Sequence, residues 1–464
     1  MNAFAPAQLA AWTGGRWTAA PVMALTGFAI DTRQLSAGQI FVALRTGGRD
    51  GHDFLADAQA AGAGAALVAK ADPAIAIPQL VVGDPLTAFQ AIAREHRRTF
   101  RGPVIGITGS AGKTSTKNLL ALLLGGAPGV LATEGNLNNH LGVPLTLTRL
   151  DPGRHRFAVV EAGISRPGEM QLLADMIEPD ISLTTLVAPA HLEELGGLEG
   201  VAGEKARLAA AVRAAGVAIF PRQCDAFNAF HDLNVRKMIV ERAEVIRPAE
   251  PPRDRVYFAI TQRGDGTAIA LAYGPPPPLV FTMRRVSDGM AQNAVLAICA
   301  ALWLGVAREA IQARLVAWAP APLRAEWREE PGRRLFLDCY NANPSSMADA
   351  LDTFLALAPP AEPRLFVLGG MEELGQKAAE YHHALGCSLP LRPEDSLFVI
   401  GDHAAAVAAG AIAAGGRTSQ IAVVTTLEPV AARIADFRGA VFMKGSRRWQ
   451  LERVLEPAAT AAVH

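Results

Sequence analysis

Val104-Ile-Gly-Ile-Thr-Gly-Ser-Ala-Gly-Lys-Thr114 decides how the chain is read. Val104–Thr108 is a short apolar run of the buried-strand kind, and a helical pattern covers Lys113–Leu124. The turn between them is rich in glycine. Such a turn aims backbone N–H groups at phosphate oxygens, and the helix N-terminus adds partial positive charge. A lysine at its end neutralises the outer phosphates and the next hydroxyl holds Mg²⁺. Gly109, Ser110, Ala111, Gly112, Lys113, Thr114 and Ser115 are therefore the candidate ATP-binding residues, with Lys113 and Thr114 in the last two roles. The spacing is not the widespread G-x-x-x-x-G-K-[ST] form, because Ile107 stands where that pattern has its first glycine.

Outward from this loop, Phe157–Glu161 and Ile181–Val187 repeat the buried-strand pattern with a helical segment between them. Buried runs alternating with helices imply a mostly parallel sheet covered on both faces. Tyr257–Pro275 alternates instead, which predicts an antiparallel excursion closed by the stiff loop Pro275–Pro278. Met290–Leu304 and Arg308–Val316 read as helices. Upstream, Phe28–Asp31, Gln39–Leu44 and Ala65–Val68 read as strands, Phe54–Ala61 as a helix, and Thr87–Phe100 as a helix leading out of a first domain. Downstream, Ala319–Pro322 is a hinge. Beyond it Leu335–Leu337, Leu365–Leu368, Leu397–Ile400, Ile421–Val424 and Ala440–Met443 are five short strands separated by helical stretches, among them Ala404–Ala414. The expected layout is α/β throughout, in three domains over residues 1–98, 99–320 and 321–464.

The 464 residues carry 44 acidic and 44 basic side chains, a balance that argues against an electrostatic nucleic-acid binder. Cys224, Cys299, Cys339 and Cys387 lie far apart without CxxC spacing, so reduced thiols are expected rather than a zinc site or a disulfide framework. The first residues lack the basic start and apolar core of a signal peptide, and no uninterrupted apolar run reaches about 18 residues. A cytoplasmic protein is expected.

Three further residues carry candidate chemistry. Glu161 ends a buried strand next to the phosphate loop, where a carboxylate can hold Mg²⁺; on local sequence it is equally an N-capping or surface glutamate. His191 follows the strand that begins at Ile181, and alone it reads as structural. Lys205 alone reads as a solvated helix charge.

Several strings, in order along nearly the whole chain, resemble the Mur ligase family. Ile30-Asp-Thr-Arg33, Gly38-Gln-Ile-Phe-Val-Ala-Leu44 and Asp50-Gly-His-Asp-Phe54 are similar to its UDP-sugar-binding domain. Thr133-Glu-Gly-Asn-Leu-Asn-Asn139 with Gly142-Val-Pro-Leu-Thr146, then Glu161-Ala-Gly163, Gly168-Glu-Met170, Ala190-His-Leu-Glu193 and Glu204-Lys205 resemble its central domain. Asp338-Cys-Tyr-Asn-Ala-Asn-Pro-Ser345, Leu368-Gly-Gly-Met371 and Lys444-Gly-Ser-Arg447 resemble its third. The Tyr-Asn-Ala-Asn-Pro form is that of the branch adding D-alanyl-D-alanine.

The resemblance implies a small N-terminal UDP-sugar-binding domain, a central P-loop ATPase domain and a C-terminal Rossmann-like domain. It implies ATP-dependent joining of D-alanyl-D-alanine to UDP-N-acetylmuramoyl-tripeptide in peptidoglycan-precursor synthesis, by a monomer. Thr32 and Arg33 would lie near the UDP-sugar, and Thr133, Asn138 and Asn139 along the muramoyl-peptide path. Lys113, Thr114 and Glu161 would hold ATP and one Mg²⁺, and His191 a second. Lys205, carbamylated in many relatives, would become a carboxylate-like metal ligand. Asn293 would contact adenine. Arg324 and Asp338 would approach the γ-phosphate and the ribose or adenine. Asn341, Asn343, Lys444, Ser446 and Arg447 would face the substrates from the third domain. Some positions depart from the family pattern: Ser165 and Arg166 stand where members usually have Asn and His, and Gly289 where they usually have His.

Three other readings remain: a ligase of the same mechanism with another amine, a non-catalytic binder, and a nucleic-acid-dependent ATPase. Tyr340–Pro344 with the N-terminal domain, the intact Gly-Lys-Thr, and the neutral charge with Ile107 count against them in turn.

Overall fold

The computed structural model describes residues 3–190, 192–246 and 252–456. Three sheets organise it. The first has strands β1 (Arg16–Trp17), β2 (Phe28–Ala29), β3 (Ile40–Val42), β4 (Ala65–Val68) and β5 (Gln79–Val81), in the order β1-β5-β4-β3-β2. Helix α1 (Pro85–Thr99) packs on it through Phe89 and Ile92. Asp84 caps α1 by accepting the N–H of Thr87, and Pro85 sits at the first turn, where its missing N–H costs nothing.

The second sheet has nine strands: β6 (Val104–Thr108), β7 (Val130–Ala132), β8 (Phe157–Glu161), β9 (Ile181–Thr184), β10 (Val217–Pro221), β11 (Lys237–Arg242), β12 (Arg255–Arg263), β13 (Gly266–Ala272) and β14 (Leu279–Arg284). Their order is β14-β13-β12-β11-β10-β9-β6-β8-β7. The pairs from β7 to β12 are parallel, and β12-β13-β14 is an antiparallel meander. The alternation at Tyr257–Pro275 is therefore two strands and a turn, since Gly264 at φ 52° reverses the chain. The run at Ile181 ends at Thr184, where the backbone leaves the ladder to pin the phosphate loop. Helices α2 (Lys113–Leu123), α3 (Glu169–Ile177), α4 (Leu198–Ala210) and α5 (Asp288–Trp303) cover this sheet. Because β6 is buried on both faces, Ile105 and Ile107 enter one core and Val104 the other, and the strand reads as a continuous apolar run.

The third sheet has β15 (Glu326–Glu330), β16 (Arg333–Asp338), β17 (Arg364–Gly369), β18 (Ser396–Ile400), β19 (Ile421–Val424) and β20 (Gly439–Lys444), in the order β15-β16-β20-β17-β18-β19. All pairs are parallel except β15-β16. Helix α6 (Pro344–Leu357) follows β16, and its Phe354 packs against the rings of Phe336, Phe366 and Phe442 on the sheet beneath it. No helix among the described residues is long and apolar enough to cross a membrane.

Candidate active site

In the second sheet the first strand, β6, lies inside, with β8 on one side and β9 on the other. The connection from β6 leads one way, to β7, and that from β8 leads the other way, to β9, so a crevice opens at the carboxyl ends of β6 and β8, the usual binding place in an open α/β sheet. The phosphate loop and Glu161 both stand there; Glu161 is in register with Ile107. A cleft of about 910 Å³ runs from the loop to the third unit.

The loop is held from below. Ser110 N–H donates to Leu186 O at 2.9 Å, Ser110 Oγ donates to Ala188 O at 2.8 Å, and Thr185 Oγ1 donates to Ala111 O. Gly109 has φ 146°, and a Cβ there would lie 1.8 Å from Thr185 Oγ1, so only glycine fits. Gly112, at φ 79°, starts α2 and packs against the amide of Asn293. Lys113 Nζ donates to Gly109 O at 2.8 Å, folded back over the loop. Desolvation holds its pKa below the ordinary lysine value, and the charge of Glu161 opposes that shift. Ser110, Ala111, Gly112, Thr114 and Ser115 line the cleft with it.

Glu161 is buried at the tip of β8. Its Oε1 accepts from Asn138 Nδ2 at 2.8 Å, its N–H donates to Thr133 Oγ1 at 2.9 Å, and its Oε2 is buried with no partner. An orphaned carboxylate oxygen beside a phosphate loop fits a divalent cation. Among the described residues no three His, Cys, Asp or Glu side chains converge. A metal here would complete its shell from hydroxyl, water and phosphate oxygens, a donor set that suits Mg²⁺. His191 lies outside the described residues. Lys205, on α4, is 3% exposed. Desolvation first, then the charge of Lys113, push its pKa down to about 7.

The third unit closes the cleft. Arg324 Nη2 donates to Thr114 Oγ1 at 3.2 Å, and its guanidinium lies 4.1 Å from the centre of the Tyr340 ring. Its neighbours Leu323 and Ala325 have φ of 59° and 49°, a strained pair for non-glycine residues at the hinge. Asp338 and Lys444 are register partners at the ends of β16 and β20 and form an ion pair; Lys444 Nζ also donates to Asn341 O at 3.0 Å. The Asn343 side chain caps α6 through Ser346 N–H, and its Nδ2 donates to Ser110 O at 3.3 Å. That amide ties the third unit to the phosphate loop.

Other candidate residues stand away from the cleft. Thr32 and Arg33 open a short 3₁₀ helix on the first unit, where Arg33 pairs with Asp31. Asn139 accepts the N–H groups of Leu141 and Gly142 at 3.1 and 2.9 Å. Ser446 is buried with its hydroxyl unpartnered, and exposed Arg447 pairs with Glu452. Sequence reasoning missed Lys117, Gln223 and Asp349. Gln223 and Asp349 line the cleft, and Lys117 is buried behind it.

With this geometry in view, the chain belongs to the Mur ligase family: the Mur ligase middle domain matches residues 107–301, and the Mur ligase, glutamate ligase domain matches residues 323–447. Within the family, the chain is 32% identical over 432 residues to the UDP-N-acetylmuramoyl-tripeptide–D-alanyl-D-alanine ligase of Escherichia coli (strain K12), covering 92% of each chain. Its fold matches MurF from Acinetobacter baumannii with a TM-score of 0.84 and 28% identity over 98% of each chain. It also matches MurF ligase from Thermotoga maritima in complex with ADP, with a TM-score of 0.77 and 25% identity over 93% of this chain and 96% of that one.

Proposed function

We propose that the protein joins D-alanyl-D-alanine to UDP-N-acetylmuramoyl-tripeptide at the expense of ATP, giving the UDP-muramoyl-pentapeptide, ADP and phosphate. The observation that carries this is the likeness, over nearly the whole chain, to ligases named for that reaction, together with a phosphate loop, an orphaned carboxylate and a third-unit arginine in one cleft.

A carboxylate is a poor electrophile at neutral pH. One carboxylate oxygen of the tripeptide attacks the γ-phosphorus of ATP, the bond to the β–γ bridging oxygen breaks, and ADP leaves. The resulting acyl phosphate carries a good leaving group. The neutral amine of D-alanyl-D-alanine adds to its carbonyl carbon, and the tetrahedral intermediate expels phosphate as the amine loses a proton. Two anions meet in the first step, so stabilising the transferring group is the main task. Lys113 and the loop N–H groups hold the nucleotide phosphates, and Arg324 reaches the same place from the third unit. Glu161 and Thr114 would hold Mg²⁺, which when bound supplies further neutralisation of phosphate charge. Lys205, if carbamylated, becomes an anion suited to a second ion, with His191 as its companion. The required neutral amine is favoured by a pKa near 7.

Asn293 and Asp338 face the nucleotide. Thr133, Asn138 and Asn139 border the muramoyl-peptide path, and Asn341, Asn343, Lys444, Ser446 and Arg447 supply the third-unit side. Thr32 and Arg33 belong to the unit of residues 1–98 that takes the UDP-sugar; residues 99–320 bind ATP and residues 321–464 close over both. Holding acyl phosphate and amine together supplies several kcal/mol, up to about 7–11 in ideal cases. The reaction has no covalent enzyme intermediate. Phosphate release from ATP and Mg²⁺ should need both the UDP-muramoyl-tripeptide and D-alanyl-D-alanine, and should vanish in Lys113→Ala. Folded wild-type protein that binds ATP yet releases no phosphate with both substrates present would overturn the assignment.

A further inference from the structure

Lys117 lies one helical turn beyond Lys113 on α2, on the same face. It is 3% exposed and is not among the side chains lining the cleft. Burying an ammonium is costly unless it is hydrogen-bonded. Lys117 Nζ donates to Thr133 O just past the end of β7.

Thr133 is a junction. Its N–H donates to Val159 O at 3.0 Å, and its Oγ1 accepts the N–H of Glu161 at 2.9 Å. The segment that continues from Thr133 brings Asn138 back to Glu161, where Nδ2 donates to Oε1 at 2.8 Å. Glu161 is thus held at its backbone by Thr133 and at its carboxylate by Asn138, and both contacts hang from the segment that Lys117 anchors. The unpartnered Oε2 is aimed by what remains. The phosphate loop is fixed separately, through Leu186, Ala188 and Thr185.

We propose that Lys117 is a positioning residue for the metal-binding carboxylate and for the muramoyl-peptide side of the reaction: by holding Thr133 it fixes where Glu161 and Asn138 point. The substrate half of this statement rests on the function proposed above, whereas the metal half rests only on the chain Lys117–Thr133–Glu161.

Lys117→Met keeps the length of the side chain and removes the donor. Mn²⁺ binding in the presence of ADP, read by electron paramagnetic resonance, should weaken by about tenfold, the effect of one charge-assisted hydrogen bond. The KM for UDP-muramoyl-tripeptide should rise with it. ADP affinity in EDTA should stay within about twofold, because the loop is held elsewhere. Thr133→Val, which cuts the next link at similar volume, should give the same split and carries the test if Lys117→Met does not fold. Unchanged Mn²⁺ binding, or ADP affinity in EDTA falling in parallel with it, would overturn the proposal. The Mn²⁺ and ADP titrations need no acceptor, so a wild-type protein that ignores the tripeptide would sink the functional assignment and still leave Lys117 decided.

Discussion

Asp349 of α6 and Gly289 at the start of α5 join the third unit to the second: Asp349 Oδ1 accepts the Gly289 N–H at 2.8 Å. The first turn of a helix leaves N–H groups without intrahelical partners, and a carboxylate there is favoured by the helix dipole. Ser287 caps the same turn by accepting Met290 N–H at 2.9 Å. Burial raises the pKa of Asp349, and the hydrogen bonds from Ser287 and Gly289 pull it back. A Cβ on Gly289 would lie 2.7 Å from Asp349 Oδ2, so a side chain at 289 would force the carboxylate of Asp349 to move. Glycine at 289 leaves room for the carboxylate that the third unit places there.

Both residues line the cleft, so this contact should act on nucleotide binding. Asp349→Ala removes an acceptor worth about 1–2 kcal/mol, which corresponds to roughly five- to thirtyfold weaker ADP binding. Asp349→Asn keeps an acceptor oxygen and should lose less. Gly289→Ala should resemble Asp349→Ala, because its methyl displaces the carboxylate. Calorimetric titration with ADP checks all three; unchanged affinity in Asp349→Ala would contradict the role.

Arg97 does for the first unit what Asp349 does for the third. It is fully buried at the end of α1. Its guanidinium donates to Ile177 O at 2.8 Å, Glu178 O at 2.7 Å and Asp180 Oδ2 at 3.0 Å. Desolvation lowers its pKa to about 10, with Asp180 and Glu178 opposing. Arg97→Met would leave two carbonyls without their partner at the foot of α3, a loss of about 3 kcal/mol or more. Arg97→Lys should recover only part of it, since one ammonium cannot reproduce the fork. Denaturant unfolding measures the difference; a loss below about 1 kcal/mol would show that the first unit is held elsewhere.

The central sheet was legible because its strands are buried on both faces and read as apolar runs: Val104–Thr108 and Phe157–Glu161 form the strands expected of them, as does the buried run Ala65–Val68 in the first sheet. Glu326–Glu330 was invisible, since an edge strand spelled Glu-Trp-Arg-Glu-Glu has no apolar period to detect. The phosphate loop and the likeness of Tyr340–Pro344 to a known string could be read locally. The contacts that assemble the cleft could not. Arg324 to Thr114 and Asn343 to Ser110 span 210 and 233 residues of chain, and no periodicity links such positions. Lys117 was hidden for another reason: a lysine in the first turns of a helix reads as solvent-facing until the neighbouring strand is seen to cover it.

Lys205 offers a test by pH. An unfolded lysine titrates near 10.5, whereas here desolvation and Lys113 bring the value to about 7. Between those values the unfolded chain binds one proton more than the folded one, so stability rises with pH through that window; below about 7 both forms are protonated and the cost of the buried charge is complete. In degassed buffer, the stability of wild type relative to Lys205→Met should therefore climb from pH 7 to pH 9 by up to about 1.4 kcal/mol per unit. Adding bicarbonate should raise the stability of wild type and carry that rise below pH 7 rather than remove it, because the folded carbamate, like the neutral amine, holds no ammonium proton while the unfolded lysine still does. A ¹³C carbamate signal from labelled bicarbonate should appear in wild type and be missing in Lys205→Met. A level difference curve without bicarbonate would mean that Lys205 keeps an ordinary lysine pKa, and the case for its carbamylation would lose its physical basis.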